Sequence, residues 1–235
     1  MNNIIDTPNF INWFGDWKTG KNCSKVVDND GIPLIVYHGT NAQFDEFKSE
    51  FMGQTGTALG QGFYFTSNKE EAGGFGTNVN AFYLNIRKPL NSDKLTMKPN
   101  DIKKLVDAID RQQCEDDPDF GYGILSDYGD IDSEGRERVL LGAVRSLLGE
   151  SSDVELVGGL INATKDYDLV TRILRKTLGY DGIICLKRNV YVIHHSNQAK
   201  RIDNINFNND SNNFNESKKK IRITESQYNF LTKRI

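Results

Sequence analysis

The chain has 235 residues, of which 37% are hydrophobic and 26% are charged, a composition typical of a globular protein with one sizeable core. Its formal net charge of −3 excludes a global field that would draw it to nucleic acid or to a membrane surface. The charge is uneven, since residues 211–235 carry six basic and two acidic side chains, which gives +4 there and −7 elsewhere.

The cysteines, the first segment and the hydropathy indicate the compartment. The three cysteines, Cys23, Cys114 and Cys185, lack metal-ligand spacing, and an odd number argues against a disulfide framework. Residues 1–17 have neither the basic start nor the apolar run of a secretory signal. No apolar stretch approaches the roughly 18–20 residues that span a bilayer. We therefore expect a cytoplasmic protein without a membrane partner.

The first third of the chain predicts an aromatic lead-in followed by strands. Residues 1–33 contain several large apolar side chains, which predict a short helix or turn packed on the main body. Residues 33–38 form a β-rich run whose continuity predicts burial on both faces, and Gly39 and Thr40 end it. A loop rich in glycine and threonine follows at residues 53–62, with further strands at residues 63–66 and 81–87.

The middle of the chain is predicted to be helical. Apolar residues at helical spacing indicate helices over residues 101–113, 134–148 and 167–178. Between the first two, residues 115–134 contain eight acidic side chains and no basic one. Such a segment is able to hold a divalent cation, but carboxylates scattered among glycines are more often a solvated loop. We assign no metal site.

Strands return at residues 182–186 and 190–193, which completes a predicted main domain over residues 1–202. Strands at both ends of this domain, around a helical insertion at residues 92–178, favour an α+β fold over a doubly wound sheet, because strands and helices do not alternate. Residues 203–218 are rich in asparagine and predict a linker. A capping pattern predicts a helix in the basic C-terminal segment, residues 219–235.

Three short motifs stand out from this framework. The first, Tyr37-His38-Gly39-Thr40, ends a buried strand, and the second, Gly60-Gln61-Gly62-Phe63-Tyr64-Phe65-Thr66, runs from the glycine-rich loop into the next strand. The third is Gly179-Tyr180-Asp181-Gly182-Ile183-Ile184, followed by Asn189-Val190-Tyr191-Val192-Ile193 on the last strand. Each has an ordinary structural reading when it is taken alone, as a satisfied histidine, a core tyrosine or a glycine turn. Their order along the chain is the informative feature.

In this order, the motifs resemble the ADP-ribosyltransferase fold of the poly(ADP-ribose) polymerase and diphtheria-toxin type. The lead-in F-x-x-W-F-G-D-W and the later S-K-V-V-D-x-x-G-x-P-L-x-V-Y-H-G-T-x-x-x-F look like the ADP-ribosyltransferase domain of polyvalent proteins from phages and mobile elements. The resemblance covers residues 7–81 and 178–202. It implies a split β-sheet core and a site for NAD+, which is a substrate here.

The resemblance also implies roles for individual residues. The His38 side chain would bond a hydroxyl of the adenosine ribose, and the Gly39 backbone would pair with the nicotinamide carboxamide. Tyr64 would stack on the nicotinamide ring, and Phe75 would be a second stacking aromatic. Thr40 and Gly62, which belong to the same motifs, would also contact NAD+.

The sequence departs from the family pattern at two positions. Ala72 stands where the polymerases have a serine that bonds the carboxamide, and Val190 stands at the third catalytic position, where the family has a glutamate. A valine cannot hydrogen-bond the ribose or activate an acceptor, so we predict no chain elongation. Activity would need a carboxylate from elsewhere in the fold, with Glu70 and Glu71 near in sequence, or from the substrate.

These observations predict a mono-ADP-ribosyltransferase, with His38, Tyr64 and the Val190 position as its catalytic set and a macromolecular acceptor, first of all a protein. Two alternatives stay open. One is a catalytically inactive module that binds NAD+ or ADP-ribose, and the other is an NAD+ glycohydrolase. The basic C-terminal segment leaves nucleic acid as a further partner, although such a tail is more often solvated.

Overall fold

The computed structural model describes residues 4–48, 59, 62–116 and 123–214. Most of the predicted glycine-rich loop, the centre of the acidic segment and the whole predicted C-terminal helix lie outside the described residues. The fold class predicted from the sequence is confirmed, because the described chain is an α+β structure in which one curled sheet is covered by a group of helices.

A single seven-stranded sheet forms the centre of the fold, in the order β4-β5-β6-β2-β1-β3-β7. All neighbouring strands are antiparallel except β4 and β5, which are parallel. The strands are β1 Val36–Thr40, β2 Phe63–Thr66, β3 Asn78–Leu84, β4 Pro89–Leu90, β5 Gly182–Cys185, β6 Val190–Ile193 and β7 Ala199–Arg201.

The helices fall into two groups. The short α1 Pro8–Phe14 and α2 Lys69–Gly73 lie near the first strands. The other helices lie between β4 and β5 in sequence: α3 Pro99–Asp116, α4 Ile131–Glu134, α5 Arg136–Leu147, α6 Asp153–Thr164 and α7 Tyr167–Leu178. Their apolar faces form one core with Ile183 and Val192 of the sheet, because an amphipathic helix must bury its apolar stripe against another element.

The two faces of the sheet have different cores. One face packs on the helices and includes Tyr64 and Val190 at its margin. The other carries Val36, Phe63 and Phe65 in a cluster of which half the buried residues are aromatic. Side chains alternate between the faces along each strand, so neighbouring residues of β1 and β2 belong to different cores. This alternation positions the site described below.

Several predicted elements are confirmed, and the others shift for identifiable reasons. The predicted strands at 63–66 and 190–193 and the helix at 167–178 have the predicted bounds. The first strand instead includes Gly39 and Thr40, because these residues pair with Val79 and Asn78 of β3. That pairing also starts β3 before the predicted residue 81. The sequence prediction missed α6, β4 and β7.

The aromatic lead-in packs on the body as predicted. Thr7 caps α1 by accepting a hydrogen bond from the backbone N–H of Phe10. Phe10, Trp13 and Phe14 are buried. The rings of Phe10 and Trp13 contact Phe207, which comes from the segment predicted to be a linker.

The described part of that linker, residues 203–214, is packed against the domain, in contrast to the prediction. Phe207 and Phe214 are 1% and 3% exposed. Phe214 contacts Phe47 and Phe82, and its backbone N–H bonds the carbonyl of Asp45. The asparagine-rich composition predicts a segment that adds nothing to the core. Two buried phenylalanines, seven residues apart, nevertheless anchor this segment to the domain. Within residues 4–48, 62–116 and 123–214, no helix combines the length and apolarity needed to cross a membrane.

Candidate active site

The His38 ring is held by a hydrogen bond that fixes its tautomer. Nδ1 lies 2.8 Å from the Tyr64 carbonyl oxygen. A carbonyl only accepts, so Nδ1 carries the hydrogen and donates it. In the neutral ring, Nε2 is then a hydrogen-bond acceptor. The ring thereby presents an acceptor to any hydroxyl placed beside Nε2.

Aromatic neighbours keep His38 neutral. The ring lies edge-on to Phe47, with centroids 5.1 Å apart, and 5.4 Å from the Phe65 centroid. Burial among these rings lowers the pKa of His38, and the bond to the Tyr64 carbonyl raises it by less. The net pKa is below the ordinary value, so the imidazole is uncharged at neutral pH.

His38 lines an open groove of about 690 Å³, a size within the range of small-molecule sites. The groove has an aromatic wall and several polar side chains. The polar lining residues include Thr40, Asn78, Asn80 and Arg201, and the aromatic ones are Phe44, Phe82 and Phe214. The Arg201 guanidinium makes two hydrogen bonds to Asp203, at 3.0 and 3.1 Å, and keeps further N–H donors.

The Tyr64 ring lies on the opposite face of the sheet from the His38 ring. Tyr64 packs against the helical core, whereas its neighbour Phe65 packs beside His38. The Tyr64 hydroxyl accepts a hydrogen bond from the Leu59 backbone N–H at 3.0 Å. Burial raises the pKa of the phenol, with a smaller opposite effect of the Leu59 bond, so Tyr64 is a neutral side chain at physiological pH. His38 and Tyr64, which the sequence predicts to act together, are therefore connected by the hydrogen bond to the Tyr64 carbonyl and not by contact between their rings.

The ladder between β1 and β2 leaves a gap beside Gly39 and Tyr64. Their ladder pairs Tyr37 with Thr66 and ends at that pair. In a continuous antiparallel ladder, the next hydrogen-bonded pair would be Gly39 with Tyr64. Alternate residues of a strand direct their backbone groups to the same side. Since the Tyr64 carbonyl faces β1, Gly39 directs its N–H and C=O into the gap.

Close packing explains Gly39 in this position. A Cβ at Gly39 would lie 1.8 Å from the carbonyl oxygen of Ala72 in α2, far inside van der Waals contact. The sequence motif predicts that the Gly39 backbone pairs with a ligand. The structure adds that α2 already occupies the space of a side chain. Ala72 itself is buried, at 1% exposure.

Gly62 also has a packing reason. Its φ of +150° is one that residues with a side chain rarely adopt, and a Cβ there would lie 2.3 Å from Cγ1 of Val192. Gly62 is therefore needed for β2 to start close against β6.

Phe75 lies next to the end of β1. A Cβ on the following residue, Gly76, would approach the Thr40 backbone to 2.2 Å, so the turn after α2 crosses directly over Thr40. The Phe75 side chain is 64% exposed, so its ring is accessible to a ligand at the end of β1.

Val190 lies on the face that carries Tyr64. It pairs with Thr66 of β2 and with Cys185 of β5, and it is half-buried at the margin of the helical core. The preceding residue, Asn189, has a left-handed φ of 58° and accepts a 2.5 Å hydrogen bond from Ser67. The third predicted position is thus well fixed and apolar.

Glu71 brings a carboxylate to the same region. Thr66, which pairs with Val190, donates a hydrogen bond from Oγ1 to Oε2 of Glu71 at 2.7 Å. Asn68 caps α2 by accepting from the backbone N–H groups of Glu70 and Glu71. Within the described chain, the Glu70 side chain makes no such bond.

The histidines after β6 have structural roles. His194 is buried, and its Nδ1 lies 2.8 Å from the Tyr167 hydroxyl. The backbone N–H groups of His194 and His195 both donate to the side chain of Gln198. Among the described residues, no group of three or more histidine, cysteine, aspartate or glutamate side chains is arranged to hold a metal ion.

The sequence prediction missed Arg201, Asn78 and Asn80 as groove residues. Asn78 and Asn80 lie in the part of β3 that was not predicted to be a strand, and Arg201 lies on the missed β7. Neither stretch has the apolar alternation that reveals a strand in sequence.

Comparison with known proteins agrees with the motifs. A family model described as ADP-ribosyltransferase in polyvalent proteins matches residues 28–209. No curated protein and no solved structure matches the chain. The matched range includes the sheet, the helices between β4 and β5, and the positions of His38, Tyr64 and Val190, and it confirms the resemblance drawn from the motifs.

Proposed function

The chain belongs to the family of ADP-ribosyltransferases in polyvalent proteins, and we propose that it transfers a single ADP-ribose from NAD+ to a macromolecular acceptor, first of all a protein. Enzymes of this family use NAD+ as their substrate. We also propose that the protein is encoded by a phage or mobile element.

The gap between β1 and β2 carries this proposal. The Gly39 backbone offers one donor and one acceptor into the gap, because the ladder with β2 ends before it. A carboxamide has a complementary acceptor and donor. Pairing the nicotinamide carboxamide with Gly39 satisfies backbone groups that the strand partner leaves open. The predicted role of Gly39 therefore has a geometric reason beyond the sequence motif.

Tyr64 and Phe75 flank this position in the proposal. Tyr64 lies across the gap from Gly39, and the turn that carries Phe75 crosses over Thr40. A nicotinamide ring bound at Gly39 would then have an aromatic side chain available on each side. Each cation–π contact contributes about 0.5–2 kcal/mol, and burial of Phe75 on binding adds hydrophobic stabilisation.

The adenosine diphosphate half of NAD+ would occupy the groove on the His38 face. The Nε2 acceptor of His38 is suited to a ribose hydroxyl, and the aromatic wall is suited to a flat base. Arg201 supplies N–H donors that match a diphosphate. A dinucleotide that passes through the gap would thus reach both Tyr64 and His38, although the two rings are on opposite faces.

Val190 supports transfer of one unit only. Elongation requires activation of a hydroxyl on an ADP-ribose that is already bound, and a valine has no group to accept that proton. The same residue is the observation that favours the second candidate, a module that binds NAD+ without turnover. Hydrolysis of NAD+ with water as the acceptor is the third.

The test uses labelled NAD+, the full chain and cell lysate, with variants chosen to separate folding from binding. His38→Asn retains an amide donor near the position of Nδ1 for the Tyr64 carbonyl but lacks the Nε2 acceptor. An unpaired ligand hydroxyl costs about 1–3 kcal/mol, or roughly a 5- to 150-fold loss of NAD+ affinity. Tyr64→Phe keeps the stacking ring, whereas Tyr64→Ala removes it.

We expect label on a macromolecule with the wild-type chain and with Tyr64→Phe, and a strong loss with His38→Asn and Tyr64→Ala. The melting temperature of each variant without NAD+ serves as the folding control. Labelled ADP-ribose in solution without labelled macromolecule would identify a glycohydrolase. An NAD+-dependent rise in melting temperature without any turnover would identify a binding module and overturn the transferase proposal.

A further inference from the structure

Val190, at the third catalytic position, has no carboxylate, but its strand partner Thr66 is hydrogen-bonded to the carboxylate of Glu71. Thr66 is paired directly with Val190 across β2 and β6, so the Cβ atoms of the two residues are about 4.5–5.5 Å apart. Thr66 Oγ1 donates to Glu71 Oε2 at 2.7 Å. The Glu71 carboxylate therefore lies within roughly 9 Å of the Val190 Cβ, over the face of the sheet that carries Tyr64.

We propose that Glu71 supplies, from α2, the catalytic carboxylate that Val190 does not provide on β6. This inference rests on the proposed function, and it adds a residue to the same site. Its evidence is the contact between Glu71 and Thr66, which fixes the position of the carboxylate. The family pattern, whose third residue lies on the late strand, does not assign this role to α2.

Glu71 is better suited to this role than its neighbour Glu70. Successive residues of a helix point about 100° apart, and within the described chain only the Glu71 side chain bonds Thr66. No lysine or arginine of the described residues forms an ion pair with Glu71, so its charge is not neutralised. Glu70 therefore provides a matched control of the same type, charge and helix.

The chemistry requires an anion at this place. The bond between ribose C1′ and the nicotinamide nitrogen breaks, and its electron pair leaves with neutral nicotinamide. Positive charge develops on C1′ and the ring oxygen, and a nearby carboxylate stabilises it. The acceptor's oxygen or nitrogen then forms the new bond to C1′ and releases its proton to water, so Glu71 acts through its negative charge near C1′ and not as a base for the acceptor.

Glu71→Gln is the informative variant, because a glutamine oxygen still accepts the Thr66 hydrogen bond. We expect an unchanged melting temperature, NAD+ affinity within about twofold of wild type, and a fall in kcat on the order of 100- to 1000-fold. Glu70→Gln should stay within about twofold of wild type in every measurement. A loss confined to kcat is a result that a purely structural role of Glu71 would not give.

Rescue provides a second, independent readout. Adding Val190→Glu to the Glu71→Gln chain returns a carboxylate to the paired strand position, and we expect it to restore at least a tenth of the lost kcat. Wild-type kcat in Glu71→Gln, or equal losses in Glu70→Gln and Glu71→Gln, would overturn the assignment and leave the transferase proposal standing. A wild-type chain that binds NAD+ but neither transfers nor hydrolyses would overturn both.

Discussion

Gly39→Ala is expected to destabilise the protein and to abolish its activity. The new methyl group would lie 1.8 Å from the Ala72 carbonyl oxygen and 2.7 Å from its carbon. Both are backbone atoms, so no side-chain rotation can relieve the clash. Either α2 moves away from β1, or the strand bends.

The expected cost follows from overpacking. Inserting a methyl group into a closely packed site costs about 1–3 kcal/mol and at times more, and a clash with backbone places Gly39→Ala at about 3 kcal/mol or above. In a protein of this size, that lowers the melting temperature by roughly 6–12 °C. Displacement of α2 also moves Glu71 and Phe75. We therefore expect NAD+ turnover to be lost even at temperatures where Gly39→Ala is still folded.

Gly73→Ala is the matched control, since it adds the same methyl group at a roomy position of α2, the helix that packs on Gly39. The nearest atom to its Cβ is Val79 Cγ2 at 3.9 Å, an ordinary contact. Alanine is also the better helix residue by about 1 kcal/mol. Melting curves and NAD+ turnover of both variants provide the measurement. Equal behaviour of the two would show that α2 does not pack on Gly39 as described.

Mild acid is expected to destabilise the folded protein through its histidines. All three histidines of the sequence have a lowered pKa in the folded state, chiefly because burial disfavours the charged ring. The pKa is about 3 for His194 and about 4 for His195. The neighbouring histidine also lowers the pKa of His194, and Arg175 lowers that of His195.

The direction follows from which state binds more protons. Above about pH 6.5, the ordinary pKa of histidine, the rings are neutral in both states and cost nothing. As the pH falls below that value, the unfolded chain takes up protons that the folded chain refuses, so stability is lost. The loss continues until the pH reaches the folded-state values. It amounts to about 1.4 kcal/mol per pH unit for each fully buried ring.

Partial exposure of His195 reduces its share, so we expect roughly 2 kcal/mol per pH unit from His194 and His195 together below pH 6. Denaturant unfolding at pH 7.5, 6.5, 5.5 and 5.0 measures the slope. His194→Asn keeps an amide near Nδ1 for the Tyr167 hydroxyl and removes one titrating group, so its slope should be smaller. The same slope in both chains would exclude His194 as a source of the acid sensitivity.

The candidate site was only partly predictable from the sequence. The sequence motifs selected His38, Gly39, Tyr64 and Val190, which all lie within residues 28–209, the range that the family model matches. The sequence did not reveal that the His38 and Tyr64 rings lie on opposite faces. That arrangement depends on the register of β1 against β2 and on where their ladder ends.

Composition alone wrongly predicts that residues 203–214 make no contribution to the core. Residues 203–218 look unstructured because asparagine and polar residues dominate, yet Phe207 and Phe214 fill sites in two different cores. Each phenylalanine buries a large apolar area only because distant segments provide a partner surface, which is α1 for Phe207 and the side chains of Phe47 and Phe82 for Phe214. A partner surface from distant sequence positions is invisible to a local pattern.

The sequence by itself determined the α+β class, the strands and helices with strong periodicity, and the family, because these depend on local hydrophobic pattern and on motif order. Only the tertiary structure decided which side chains share a face, why Gly39 and Gly62 admit no side chain, and that Glu71 bonds Thr66, the strand partner of Val190. Those features arise from strand register and from contacts between distant residues. A shift of one residue in strand register moves a side chain to the other face of the sheet. The register depends on residues far apart in sequence, so a short stretch of sequence does not reveal it.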